Sequence, residues 1–327
     1  TTEIYTLSLH DALPIWLVRN LVEEAIRKQS SRIAGEQVSE SEDMITLIDV
    51  DFAQSTQQRE SFDLDATLQR VIGLAEVKEF ILSLQSQLQI REERKKIGLP
   101  VDATQTLHMI FKGNPGTGKT MMARIIGEVF YQMGVLNGKN FVETDRSGLV
   151  AGYVGQTAIK TREKVQEALN GILFIDEAYS LSQSSGGQSD FGKEAIDTLV
   201  KMIDDHRDRL VVILAGYDQD MDQFLETNPG LQSRFPNIIE FPDYTVEELM
   251  SIAQNLYADK GYVLEPSATE KLRRIFTEEA GQPMFGNGRY VRNLFEKSLR
   301  EQAMRLRGCK PTRDDLVTIT GDDIEKV

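Results

Sequence analysis

A single cysteine, Cys309, stands in the whole sequence, so no disulfide can close within it, and such usage suits a reducing compartment. Arg307 and Lys310 stand beside it, but a lone thiol at a helix end reads as inert. Histidine is almost as scarce: His10, His108 and His206 are scattered without ligand spacing, which argues against a zinc site. There is no run of eighteen apolar residues. The apolar stretches at 171–175 and 210–215 are strand-sized, so the expectation is a cytoplasmic protein without membrane insertion. Positive charge is also short, with 37 basic residues against 51 acidic ones and a net charge of −14. That sign opposes a protein that gains affinity by neutralising many phosphates, so nucleic acid is not an expected partner.

What is present begins with a repeat. Val18 to Gly35 lies over Val291 to Gly308 with nine identities in eighteen positions, and after one gap Asp43 to Leu47 pairs with Asp315 to Ile319. The offset of 273 residues is about one module long. Residues 17–52 are therefore expected to be the end of an earlier copy, joined by a polar linker at 53–67. Thr1 to Ile15 resemble translated adapter sequence, and residues 1–16 are set aside as non-native.

From Leu68 to Ile90 apolar residues recur at helical spacing, which predicts one leading helix. Strand-like runs at 108–112, 140–144, 171–175, 210–215 and 238–241 then alternate with amphipathic stretches at 120–134, 157–169 and 193–205. Such alternation predicts an α/β core over 68–242, a parallel sheet with helices on both faces. After Pro242 only helical patterns follow, at 245–260, 267–280 and 288–306, which predicts a small all-α domain over 243–327.

Between the first strand and its helix, residues 113–120 read GNPGTGKT, which satisfies GxxxxGK(S/T) in the strand–loop–helix context that the motif needs. Backbone N–H groups of Asn114, Pro115's neighbours, Gly116, Thr117 and Gly118 would cradle phosphates at the helix start, which also carries partial positive charge. Lys119 would reach the β and γ phosphates of ATP, and the Thr120 hydroxyl would bind Mg²⁺. Met121 follows in the same binding segment. Sixty residues on, the apolar run 172–175 delivers Asp176 and Glu177 at the end of a strand, where ligands gather in open α/β sheets. Asp176 would hold the metal through water, and Glu177 would act as the base that polarises the attacking water.

With the segments 151–158 (AGYVGQTA), 172–181 (ILFIDEAYSL), 228–235 (NPGLQSRF) and 286–293 (GNGRYVRN), the region from Leu64 to Val327 resembles the CbbX and stage V sporulation protein K branch of the AAA+ ATPases. The resemblance implies an ATPase core followed by a helical lid, and a homo-oligomeric ring, hexameric in the family, that pulls on a protein substrate. It makes Arg234 the arginine finger for a neighbour's site and Arg289 the second sensor, with Arg292 structural. Tyr153 and Val154 match the pore loop, and Val71, Ile72 and Gly73 match the segment touching adenine, although a packed helix start fits the last three as well. The strand before the finger ends in Gly216, Tyr217 and Asp218, which leaves Tyr217, Asp218 or neither as first sensor. The loop 182–189 suits a second pore-facing loop or an ordinary connection equally. An ATP-dependent assembly scaffold that threads nothing is the competing function.

Overall fold

The computed structural model describes residues 62–100, 106–153, 155–182 and 191–326, together with four helical residues, Val22, Ala25, Ile26 and Gln29. The segment expected as adapter, the expected end of an earlier module apart from those four residues, the start of the linker, Val154 and most of the 182–189 loop lie outside the described residues. The chain divides into two units, 1–61 and 62–327, and the second carries the sheet and the helices that cover it.

Five strands, β1 (Met109–Gly113), β2 (Asn140–Thr144), β3 (Gly171–Ile175), β4 (Leu210–Gly216) and β5 (Asn237–Phe241), form one parallel sheet in the order β2-β3-β4-β1-β5. β1, β3 and β4 are buried throughout, because their alternating side chains feed two different cores. Met109, Phe111, Ile172, Phe174, Val211 and Ile213 enter one apolar cluster, whereas Ile110, Leu173, Ile175, Val212 and Leu214 enter the other. The two edge strands carry exposed positions instead.

The helices that cover these faces bury stripes at helical spacing. In α3 (Lys119–Gln132) the buried set is Met122, Ala123, Ile126, Val129 and Phe130. On the opposite core lie α5 (Gln156–Glu167) and α6 (Phe191–Asp205), the latter burying Ala195, Ile196, Leu199, Met202 and Ile203. Between α3 and α5, α4 (Arg146–Leu149) is a single turn capped by Asp145. After β4 come α7 (Asp218–Thr227) and the short α8 (Pro229–Gln232).

The leading helix departs from the prediction. It is two helices, α1 (Leu64–Arg70) and α2 (Ala75–Lys96), separated where Gly73 and Leu74 both take left-handed backbone, at φ +65° and +54°. Apolar periodicity spans the break and so conceals it. Asp63 caps α1 by accepting from the Ala66 N–H at 2.9 Å, which puts folded structure inside the stretch expected as linker.

Three helices, α9 (Val246–Asp259), α10 (Pro266–Glu279) and α11 (Asn287–Arg305), build the second domain. Thr245 and Glu248 close a capping box that starts α9. Tyr257 of α9 meets Phe295 of α11 edge-on at 4.9 Å, and its hydroxyl lies 2.7 Å from Ser298. The domain is not wholly helical. A two-residue strand β6 (Val263–Leu264) pairs in parallel with β7 (Thr318–Ile319), which follows α12 (Arg313–Val317). Gln302 stabilises that return by donating to the carbonyls of Asp315, Leu316 and Thr318.

Candidate active site

β1 ends at Gly113 and α3 begins at Lys119, so the glycine-rich loop is held between a fully buried strand and a helix anchored in the core. Lys119 Nζ donates to the carbonyls of Gly113 and Asn114 at 2.7 and 2.8 Å. Burial lowers its pKa, opposed chiefly by the charge of Asp176 and then that of Asp218. β3 delivers the acid pair beside the loop. The Asp176 N–H donates to the Thr144 carbonyl of β2 at 2.8 Å, and its carboxylate accepts from the Glu177 N–H at 3.0 Å. Glu177 sits at φ +47°, a left-handed conformation costing a non-glycine residue about 1–2 kcal/mol. Strain of that kind collects where a side chain must be aimed rather than packed.

These parts face one cavity of about 640 Å³. Its floor is Pro115, Gly116, Gly118, Lys119, Thr120 and Met121, with Asp176 and Glu177 at one side. Val71 and Ile72 also line it together with Arg70, at the break between α1 and α2. The helical domain supplies the roof through Ile252, Asn255, Leu256 and Asp259 of α9 and Gly288, Arg289 and Arg292 of α11. Arg292, expected as structural, therefore shares the cavity with Arg289. Tyr217 lines it and Asp218 does not. The Tyr217 hydroxyl is pushed above its ordinary pKa, first by burial and then by the Glu177 charge.

Other expected site residues stand outside the lining. Asn114 turns its amide to the Asp243 carboxylate, 3.0 Å from both oxygens, and Thr117 is fully buried with its hydroxyl donating to the Asn114 carbonyl. Gly73 packs under Glu248. Arg234 is apart from its own chain's cavity and forms a two-point pair with Asp204 at the end of α6, at 2.8 and 2.6 Å. Tyr153 is 72% exposed. The sequence reading missed Tyr244, Asn255 and Asp259; only the i, i+4 spacing of the last two on α9 hinted at a shared face.

A glycine loop at a helix start, a lysine, a threonine and two strand-end carboxylates around one cavity define a P-loop ATPase site. The family model for the ATPase family associated with various cellular activities (AAA) matches residues 109–243, and that for the AAA lid domain matches residues 17–62 and 245–327. The chain belongs to the AAA ATPases; it binds nucleotide and hydrolyses ATP. Within that class it groups with the stage V sporulation protein K and CbbX relatives. It is 47% identical to stage V sporulation protein K of Bacillus subtilis (strain 168) over 80% of this chain and 82% of that one. It is 39% identical to the chloroplastic ribulose bisphosphate carboxylase/oxygenase activase of Cyanidioschyzon merolae over 85% of this chain and 94% of that one. The ESX-3 secretion system protein EccA3 of Mycobacterium tuberculosis is 40% identical, and there the chain spans only 44% of the relative's length. Among solved structures, the FIGL-1 AAA domain in complex with ADP shares the fold, with a TM-score of 0.52, 23% identity and 79% of each chain covered. Among the described residues no helix is long and apolar enough to cross a membrane.

Proposed function

We propose that the chain is an ATP-driven protein remodeller that works as a homo-oligomeric ring, hexameric as in its family, and pulls on a protein partner. The observation that carries this reading is the division of the machinery. Lys119, Thr120, Asp176, Glu177 and Arg289 converge on one cavity, while Arg234, paired with Asp204, and the exposed Tyr153 stand outside it. An arginine apart from its own site is suited to a neighbour's, where it would stabilise transition-state charge. An exposed tyrosine offers apolar area with few rotatable bonds, which suits gripping a polypeptide without reading its sequence.

In the site, Asp176 and the Thr120 hydroxyl are two oxygen donors facing one space, and among the described residues no cluster of three or more His, Cys, Asp or Glu competes for a metal. That donor set fits Mg²⁺, which retains waters and binds phosphate oxygens; when bound it neutralises charge on the phosphates. Glu177 is the base for the attacking water, Lys119 and the loop N–H groups of Asn114 and of 116–118 hold the phosphates, and Val71 and Ile72 flank the adenine ring. Tyr217 is the better suited of the two first-sensor candidates, because it lines the cavity beside Glu177. The match of one lid model to both 17–62 and 245–327 supports the reading of residues 17–52 as the end of an earlier module.

Tyr153→Ala tests the pulling step. The variant is expected to keep basal ATP turnover within about twofold while losing stimulation by an unstructured probe polypeptide such as casein. Stimulation equal to that of the parent protein would remove Tyr153 from the grip.

A further inference from the structure

Four consecutive residues of the phosphate-binding loop are each tied to the lid or to the hinge that precedes it. The Asn114 amide donates to both oxygens of Asp243 at 3.0 Å. The Pro115 carbonyl accepts from the Asn287 amide at 3.4 Å, the Gly116 carbonyl from the Gly288 N–H at 3.1 Å, and the Thr117 carbonyl from the Tyr244 hydroxyl at 3.2 Å. Asn287 sits at the centre of this seam. Its side chain is fully buried, and every polar atom on it is used. The oxygen accepts from the Tyr244 N–H at 2.9 Å, and the nitrogen donates to Asp243 at 2.7 Å and to the Phe285 carbonyl at 3.0 Å as well as to Pro115. Asn287 also holds φ +46°, a conformation asparagine tolerates better than other side chains. A leucine or serine there would match neither the backbone nor the four partners.

The seam's location gives it a consequence. Asp243 and Tyr244 are the hinge between β5 and α9, and Asn287 is the first residue of α11, two before Arg289. Fixing Asn287 against the loop fixes where α11 starts relative to the phosphate cradle, and with it the direction from which Arg289 enters the cavity. A half-buried carboxylate bridged between two amides also costs desolvation that packing alone would not require, so the arrangement specifies one geometry. We infer that Asn287 and Asp243 are positioning residues for ATP hydrolysis, a latch through which the lid holds Arg289 over the phosphate-binding loop. This rests on the reading of the cavity as the ATP site and of Arg289 as a phosphate-facing residue.

The experiment is a double-mutant cycle in the full chain between Asn287→Gly and Arg289→Ala, with kcat, fluorescent-ATP affinity and Tm measured for each protein. Glycine removes the amide while accepting the positive φ. Asn287→Gly is expected to lower kcat about tenfold or more with nucleotide Kd within about threefold, and to lower it no further once Arg289 is alanine. Equal losses of kcat in both backgrounds would overturn the latch while leaving the site intact; so would an Arg289→Ala protein with parental kcat. If Asn287→Gly does not fold, Asp243→Asn, which keeps shape and removes the charge, takes its place in the cycle with the same expected non-additivity. Failure of the unmodified protein to bind fluorescent ATP would overturn the cavity reading itself, and is told apart because no variant is involved.

Discussion

At the scale of single residues, chemistry and packing compete for the same few polar groups, and His108 shows which wins away from the cavity. It is 3% exposed at the entry to β1, accepts from the Val212 N–H through Nδ1 at 3.0 Å, and lies against Phe235. Burial holds its pKa down to about 4, with the Asp204 charge pulling weakly the other way. An unfolded histidine titrates near 6.5, so between about 6.5 and 4 the unfolded chain takes up a proton that the native one refuses. Stability from this group is therefore complete above pH 6.5, declines by about 3 kcal/mol as pH falls to about 4, and changes little below. Urea midpoints between pH 7 and 4.5 check this: the slope for His108→Gln should be shallower than that of the parent. Parallel slopes would mean that the ring is protonated in the native state.

Elements meet at distances that single side chains set, and one close approach lies between the phosphate loop and the start of α11. A Cβ on Gly116 would stand 2.3 Å from the Gly286 carbonyl and 2.7 Å from the Arg289 nitrogen, on a backbone at φ +73°. Gly116→Ala must therefore push the start of α11 away from the loop, although the packing of Tyr257 on Phe295 inside the lid is untouched. The expected outcome is a loss of ATP turnover of about tenfold or more with a Tm only a few degrees lower. Gly230→Ala is the control, since nothing lies within 4 Å of its Cβ position, and it should match the parent in both measurements. An active Gly116→Ala protein would show that the loop and lid need not touch during turnover.

For the whole molecule, the separation of Arg234 from its own cavity makes a ring testable without any knowledge of the partner. On the proposed roles, Glu177→Gln and Arg234→Ala should each abolish turnover, the first by removing the proposed base and the second the proposed charge stabiliser of a neighbour's site. Mixed in equal amounts, the two proteins should recover part of the parental ATPase rate. Some interfaces then combine an intact Glu177 from one subunit with an intact Arg234 from the next. Recovery should grow with protein concentration. A mixture as inactive as its components would argue that the finger works in cis. The Asp204 pair that holds Arg234 is exposed, so losing it alone should cost little stability.

How much of this was legible in the sequence divides along a physical line. The loop at 113–120, the acid pair at 176–177 and the alternation of strand and helix are contiguous patterns, because phosphate binding uses adjacent backbone amides and a buried parallel strand is one apolar run. Sequence alone therefore determined the nucleotide chemistry and the layered core. It did not reveal the break at Gly73 and Leu74, where apolar spacing runs through a change of chain direction, nor the short β6–β7 pair, whose two-residue strands are too brief for any period. Only the tertiary structure decided that Arg292 joins Arg289, that Tyr217 lines the cavity where Asp218 does not, and that Asn114, Asp243 and Asn287 bond together. Asn114 is 129 residues before Asp243 and Asp243 is 44 before Asn287, and docking the lid on the core is what brings these three within hydrogen-bonding distance.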